Sequence, residues 1–318
     1  MHSHPMIGLI RNRRSHRNGG DSGLSDASLA SAPNIIMRSP DKRSELAGVL
    51  EHFASQRVDY IAIDGGDGTV RDVLTCGAGV FGENWPALIV LPNGKTNALA
   101  HDLGIPKGWT LEQAMAALRD GRTTSRRPLV VTQRDKEDAR IAGFVLGGGA
   151  FTAAIGLGQN AHRLGAFNAA VVGLTTVWSA LQALLGRSDN PWRRGTAMRV
   201  RDAQGHDLPH LGGTPLDERY LLFASTLRTF PAGLRPFGNQ EGDLRLAVMD
   251  NASRALLLRL PLMFMSGTGQ TLRRLGFQVV GAERIDLDIG ARFILDGEAF
   301  PAGSYRLEPG SNLRFVVP

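Results

Sequence analysis

The sequence predicts an α/β fold class. An N-terminal doubly wound, mostly parallel α/β domain spans residues 1–127, a C-terminal antiparallel β-sandwich spans 128–318, and the site lies in the interdomain cleft. Three observations carry this. Strand-like and helix-like patterns alternate up to about Gly121, the mark of a parallel sheet covered on both faces. From Pro128 onward, short apolar runs are separated by Gly, Pro, Asn and Asp, the punctuation of antiparallel sheets. Two glycine-rich stretches each follow a strand and open a helix, the position at which open α/β sheets bind ligands.

In order, Met6–Arg11 is a short apolar strand that runs into a basic, Gly/Ser-rich loop, and Asn34–Met37 is a second strand. Between Asp41 and Arg57 the residues Leu46, Val49, Leu50 and Phe53 fall at i, i+3, i+4 and i+7, one face of a helix. Val58–Ile63 is a third strand, followed by a glycine-rich turn and a short helix at Thr69. Ala87–Leu91 is a fourth, followed by a helix over about Thr96–Leu103. Thr110-Leu-Glu-Gln113 reads as a capping box, and Gly121 closes the helix that it starts. In the second half the runs PLVV, TAMRVRD, YLLFAST, DLRLAVM, RIDLDI, RFILDGEAF, YRLEP and LRFVV read as sandwich strands, with two helical stretches between them.

Composition narrows the class. Hydrophobic residues make up 42% and charged residues 21%, which excludes a disordered chain. The net charge of +6 favours anionic partners, whether nucleotides, nucleic acid or an acidic membrane leaflet, with general solubility as the plain alternative. Cys76 is the single cysteine, so an intramolecular disulfide and a thiolate metal cluster are excluded. MHSHPMIGLIRNRR lacks the apolar core and cleavage site of a secretory signal. Leu164–Gly186 carries no charge and has the length of a membrane span. Its polar interruptions Asn168, Thr175, Thr176, Ser179 and Gln182 favour a buried or membrane-skimming helix instead.

The strongest motif is Asp64-Gly65-Gly66-Asp67-Gly68-Thr69. Between a strand and a helix, glycines let the backbone approach phosphate oxygens, and the helix-start amides point at them. Thr69 can cap the helix or bond a phosphate, and Asp67 suggests bound magnesium or proton acceptance. A plain glycine-punctuated turn is the alternative reading. Leu91-Pro92-Asn93-Gly94-Lys95-Thr96-Asn97 forms a second such loop, where Lys95 could reach a β- or γ-phosphate. Arg11, Arg13, Arg14 and Arg17 make a basic cluster that suits phosphate binding or a solvated loop equally. His2, His4 and His16 show no ligand spacing. Ala255–Gly267 is apolar and reads mainly as core, and Asp296-Gly297 alone would read as a hairpin turn.

GGDGT at 65–69 with Asp72, PNGKTNALAHDLGIP at 92–106 and LDGE at 295–298 together resemble the diacylglycerol kinase catalytic family. That family also holds sphingosine and ceramide kinases and is more distantly similar to NAD kinases and phosphofructokinases. The resemblance implies an ATP-dependent phosphotransferase acting on a lipid hydroxyl, with ATP and Mg²⁺ as cofactors. It implies an ATP site built from Asn12, Ser15, Ser39, Gly65, Gly66, Gly68, Thr69, Asp72, Gly94, Lys95, Thr96 and Asn97. It implies catalytic carboxylates among Asp67, Asp296 and Glu298, which the sequence leaves as equals, and a structural metal at Glu241 and Asp243. The chain departs from the family at several points. Arg13 and His16 replace the proline and glycine of the first loop, Lys95 replaces a threonine, Ala98 replaces an acid, and the acid expected near Arg127–Leu129 is absent.

These departures, with a composition suggesting a high-GC bacterium, lean the acceptor towards ceramide or a sphingoid lipid over diacylglycerol. The expected partners are a membrane lipid substrate and an anionic membrane surface, with no nucleic acid and self-association as a homodimer left open. The expected location is cytoplasmic, peripheral at the inner face of the cell membrane. The competing readings are a soluble-acceptor kinase of the NAD-kinase type and a non-catalytic nucleotide- or lipid-binding regulator.

Overall fold

The computed structural model describes residues 5–15, 33–152, 194–211, 217–259 and 270–318. His2, His4, His16, Arg17, the segment Leu164–Gly186 and the end of the Ala255–Gly267 run lie outside the described residues.

The first unit runs β1 (Ile7–Arg11), β2 (Ile35–Arg38), α1 (Leu46–Ser55), β3 (Tyr60–Gly65), α2 (Asp67–Phe81), β4 (Ala87–Pro92), α3 (Ala98–Asp102), α4 (Leu111–Arg119) and β5 (Thr123–Arg126). β3 pairs in parallel with both β1 and β4, and β2 pairs in parallel with β1. β1, β3 and β4 are buried on both faces. In β3, Ile61 and Ile63 pack with Leu50 and Phe53 of α1 and with Val70, Val73 and Leu74 of α2. Ala62, between them, packs with Leu111, Ala114 and Ala117 of α4 on the opposite side. Gly8 lies so close to α1 that a Cβ there would stand 2.5 Å from the Phe53 ring. The capping box forms, with Gln113 N–H donating to Thr110 Oγ1 and Thr110 N–H donating to Gln113 Oε1. Gly121 has the expected positive φ, 69°.

The second unit contains β6 (Leu129–Gln133), β7 (Lys136–Gly143), β8 (Val145–Gly149), β9 (Thr196–Arg201), β10 (Glu218–Arg219), β11 (Leu221–Ser225), β12 (Leu244–Met249), β13 (Phe277–Ala282), β14 (Ile285–Ile289), β15 (Phe293–Leu295), β16 (Glu298–Phe300) and β17 (Gly303–Pro309). They form two antiparallel sheets, ordered β10-β9-β14-β17-β6-β7 and β13-β12-β11-β8-β15-β16. Period-2 alternation explains the sandwich. Met198, Val200, Ile285, Leu287, Ile289, Tyr305 and Leu307 of one sheet meet Leu222, Ala224, Leu244, Leu246 and Val248 of the other. The alternate residues of the second sheet, Phe223, Ala247 and Met249, face away from the sandwich. They join the apolar cluster that also holds Ile61, Leu88 and Leu99 of the first unit. The two units therefore share one buried layer.

LRFVV departs from its expected place in the sandwich. It forms β18 (Leu313–Val316), which returns to the first sheet between β4 and β5, parallel to β4 and antiparallel to β5. The split at residue 127 thus has one exception. Leu313 and Phe315 face one cluster and Val316 the other, so β18 has the two-sided burial of a sheet interior rather than one core-facing side. Phe315 is fully buried, so Phe315→Ala is expected to destabilise the protein by about 3–5 kcal/mol. Urea unfolding followed by circular dichroism checks this, and a loss below about 1 kcal/mol contradicts the placement of β18.

Candidate active site

The site begins with a carboxylate at the tip of the central strand. Asp64 is 1% exposed and accepts from Arg11 Nε at 2.8 Å and Asn93 Nδ2 at 2.5 Å. One side chain thereby ties the ends of β1, β3 and β4. Asn12 N–H donates to the Asp64 carbonyl at 2.9 Å, and its Nδ2 donates to Thr69 Oγ1 at 2.8 Å. Ser15 Oγ donates to the Asn93 carbonyl at 2.8 Å. The two glycine loops meet backbone to backbone, and a Cβ on Gly94 would stand 2.5 Å from the Gly66 Cα. Gly65 packs as closely on Thr69, whose Oγ1 would be 2.5 Å from an added Cβ. Asn12, Ser15, Gly65, Gly66, Thr69 and Gly94 are brought together, and Gly68 sits beside them in the first turn of α2. Ser39 follows β2 at the same end of the parallel sheet, two strands away from β3.

Asn97 shapes the second loop. It adopts φ 52°, accepts from Gly94 N–H at 2.9 Å and donates to the Gly94 carbonyl at 2.9 Å. This closed turn presents the first amides of α3 to Asp67, whose carboxylate accepts from Ala98 N–H at 3.0 Å and Leu99 N–H at 3.3 Å. Asp67 is therefore a helix cap reaching from one loop to the other, a task the sequence did not suggest. Burial raises its pKa above the usual carboxylate value, against the pull of these amides. Lys95 and Thr96 are exposed and line a cleft of about 600 Å³ with His101, Lys107 and Pro231. Asp72 turns to arginines, accepting from Arg71 Nη2 at 2.9 Å and facing Arg43 Nε at 3.6 Å.

The second domain supplies the opposing wall. Asp296 and Gly297 form the two-residue turn between β15 and β16 with φ of 45° and 84°, a hairpin geometry that Asp-Gly favours. The Asp296 carboxylate turns inward, accepting from Phe144 N–H and Val145 N–H, both at 2.9 Å. Its pKa is pushed up to about 7, first by burial and then by Asp67, while the two amides and Arg71 hold it down. Two carboxylates from different domains thus repel each other beside the joined glycine loops. Glu298 is ion-paired to Arg71.

The family model for the diacylglycerol kinase catalytic domain matches residues 7–129. Residues 7–129 belong to that family. The whole-chain fold agrees with it. A diacylglycerol kinase structure from Bacillus anthracis str. Sterne is 14% identical with a TM-score of 0.62, covering 100% of this chain and 98% of the other. Two further diacylglycerol-kinase-type structures from the same organism are 15% identical, with TM-scores of 0.65 and 0.64, covering 100% of this chain and 99% of theirs. At these identities the structural likeness speaks for the fold alone. Among curated proteins none matches the chain.

Glu241 and Asp243, expected as a metal-holding pair, are both exposed, and Asp243 meets Arg127 Nη1 at 3.2 Å. Among the described residues no group of three or more His, Cys, Asp or Glu could hold a metal ion. Sequence reading missed two buried charged residues that join the domains. Arg71, on α2, reaches Asp72, Glu298 and the Leu295 carbonyl. Asp102, at the end of α3, accepts from Arg126 Nε at 2.5 Å and from the Arg228 and Thr229 amides at 2.8 and 2.6 Å. Each ties the first domain to the second. The available signal was a charge placed among apolar helix positions: Arg71 beside Val70, Val73 and Leu74, and Asp102 between Leu99 and Leu103.

Asp102→Asn leaves Arg126 uncompensated in a buried setting and is expected to cost about 3–5 kcal/mol of stability. Urea unfolding of the variant checks this, and wild-type stability would show that the tether carries no energy.

Proposed function

We propose that the chain is an ATP-dependent lipid kinase that transfers the γ-phosphoryl group of ATP to a hydroxyl of a membrane lipid. The observation that carries the reading is the pair Asp67 and Asp296, set from two domains against the joined glycine loops of a kinase-family domain. Phosphoryl transfer asks the protein mainly for positioning and charge stabilisation. The glycine-floored contact of Gly66 with Gly94 offers open backbone to phosphate oxygens, with Asn12 and Thr69 fixed beside it. Lys95, at the rim, offers a mobile positive charge to the nucleotide. Magnesium would accompany the phosphates and neutralise their charge. The described residues fit no dedicated metal cage, and none is invoked.

Among the three carboxylates Asp296 is favoured as proton acceptor by its burial and by the neighbouring Asp67 charge, which raise its pKa. Glu298 is held by Arg71, and Asp67 caps α3. Asp296 has a pKa of about 7, the range in which a general base is most effective at neutral pH. As acceptor, ceramide or a sphingoid lipid stands ahead of diacylglycerol. The motive is the lost acid near residue 127, where Arg127 instead pairs with Asp243. Attachment to an anionic membrane surface follows from the +6 charge. No helix among the described residues is long and apolar enough to cross a membrane.

The deciding experiment is ATP turnover against ceramide, sphingosine, diacylglycerol and monoacylglycerol, with NAD alongside. Turnover of NAD alone, or of nothing, rejects the lipid-kinase reading. The sign of the pH effect follows from Asp296. Its native carboxyl keeps a proton up to about pH 7, whereas an unfolded aspartate releases it near 4. Between those values the native state binds more protons, so this group's contribution to stability falls as pH rises. Activity, which needs the base form, rises across the same window to a plateau above about 7. Asp296→Asn is expected to slow kcat by about 10²–10⁴ and to erase the rising limb. A persisting limb would move the base elsewhere.

For the membrane, the protein is expected to bind vesicles of phosphatidylserine and phosphatidylcholine and to leave them as salt rises, since fields are screened within about 8 Å at physiological ionic strength. Salt-independent binding contradicts the electrostatic reading.

A further inference from the structure

Arg71 lies on the helix that begins in the GGDGT loop, yet it is only 5% exposed. Its guanidinium is drawn to protein acceptors on several sides. Nε and Nη2 donate to Asp72 Oδ1 at 3.2 and 2.9 Å, Nη1 donates to the Leu295 carbonyl at 3.3 Å, and Nη2 pairs with Glu298. Leu295 and Glu298 are the residues on either side of the Asp296-Gly297 turn. The arginine therefore grips the hairpin at both ends of its turn, from a helix in the other domain. Nη2 also lies under the phosphate loop, 3.9 Å from where a Cβ on Gly68 would stand.

We propose that Arg71 is a positioning residue for phosphoryl transfer, clamping the acidic hairpin of the second domain onto the phosphate-loop helix and so setting where Asp296 stands. The catalytic consequences rest on the lipid-kinase reading; the structural consequence does not. A planar fork suits this task, because it holds a carboxylate and a carbonyl in fixed directions, which a lysine point charge does not. With its donors drawn to Asp72, Leu295 and Glu298, the guanidinium serves the hairpin rather than a bound phosphate. Its charge also acts on Asp296. The groups acting on that carboxyl are Asp67 and Arg71 from α2 and the Phe144 and Val145 amides at the β7–β8 junction, while Glu298 on its own hairpin pairs with Arg71.

The test compares Arg71→Gln, Arg71→Lys, Glu298→Gln and the double variant Arg71→Gln/Glu298→Gln. It measures kcat and the KM for ATP across pH, together with hydrogen exchange at the Phe144 and Val145 amides. In Arg71→Gln, kcat is expected to fall about a hundredfold, the cost of misplacing a reacting group by about 1 Å. The KM for ATP should stay within about twofold, the rising limb should move to higher pH, and both amides should exchange faster. Arg71→Lys keeps the charge but not the fork, so the limb should return while kcat recovers only in part. The double variant should be no slower than Arg71→Gln, because the two side chains act as one unit.

Wild-type kcat with an unmoved limb, an effect confined to the KM for ATP, additive losses in the double variant, or unchanged amide exchange each overturns the clamp. If Arg71→Gln melts below the assay temperature, Arg71→Lys carries the same readouts, and wild-type kcat in it is equally fatal. If the wild-type chain phosphorylates no lipid, the kinase reading fails, and amide exchange alone decides whether Arg71 holds the hairpin.

Discussion

The arrangement depends on one buried carboxylate. Removing a charge from water costs several kcal/mol unless hydrogen-bonded counter-groups replace the lost hydration. Asp64, at the tip of β3, meets that demand with Arg11 from the end of β1 and Asn93 from beyond the end of β4. Three strand ends are thereby held in one register. The two glycine loops, which start immediately after β3 and β4, have no freedom to drift apart. The contact of Gly66 with Gly94 follows from this tie and from the absence of a Cβ on either residue. The position of Asp67 follows in turn, because the second loop brings the Ala98 and Leu99 amides within reach of its carboxylate.

The cleft is held by two kinds of force acting at different places. The outer face of the β13-β12-β11-β8-β15-β16 sheet joins the helix-covered face of the first sheet in a continuous apolar cluster. That layer supplies non-directional adhesion. β18 adds a covalent stitch, since the chain leaves the sandwich through β17 and ends inside the first sheet. Direction comes from the polar tethers. Asp102 fixes the loop after β11 to α3, and Arg71 fixes the β15–β16 hairpin to α2. An apolar layer alone would tolerate sliding; a buried ion pair with backbone partners tolerates little, because any displacement exposes unmet charge to a low-dielectric setting.

How much of this was legible in the sequence depends on the range of each interaction. β1, β3 and β4 were readable because strands buried on both faces are written as continuous apolar runs. β9 and β14 were readable because one buried face imposes alternation. β5 (TTSR), β7 (KEDARIAG) and β13 (FQVVGA) were missed, and each lies at the edge of its sheet, where polar residues and weak patterning are normal. β8 (VLGGG) is central, yet it carries three glycines because Phe151 packs on Gly147 and Ile289 on Gly148. The glycine loops were visible because their geometry is local. Arg71 and Asp102 were not, because their partners in the second domain lie 224 and 127 residues away in sequence. β18 was assigned to the sandwich for the same reason: nothing within LRFVV names β4 as its neighbour.

The long-range pairs also change the meaning of the residues that were found. Asp67 stood out as a carboxylate in a phosphate loop, where negative charge is out of place. In the folded chain it is a cap for α3, and it is one of the charges that hold a proton on Asp296. The glycine loop of the first domain and the acidic turn of the second therefore share an electrostatic account. On the lipid-kinase reading proposed above, the positive charge of a cation accompanying ATP would offset the Asp67 charge and favour the ionised form of Asp296. The coupling is a consequence of burial, because the same two carboxylates in bulk water would sense each other by only about 1 kcal/mol even at 4 Å.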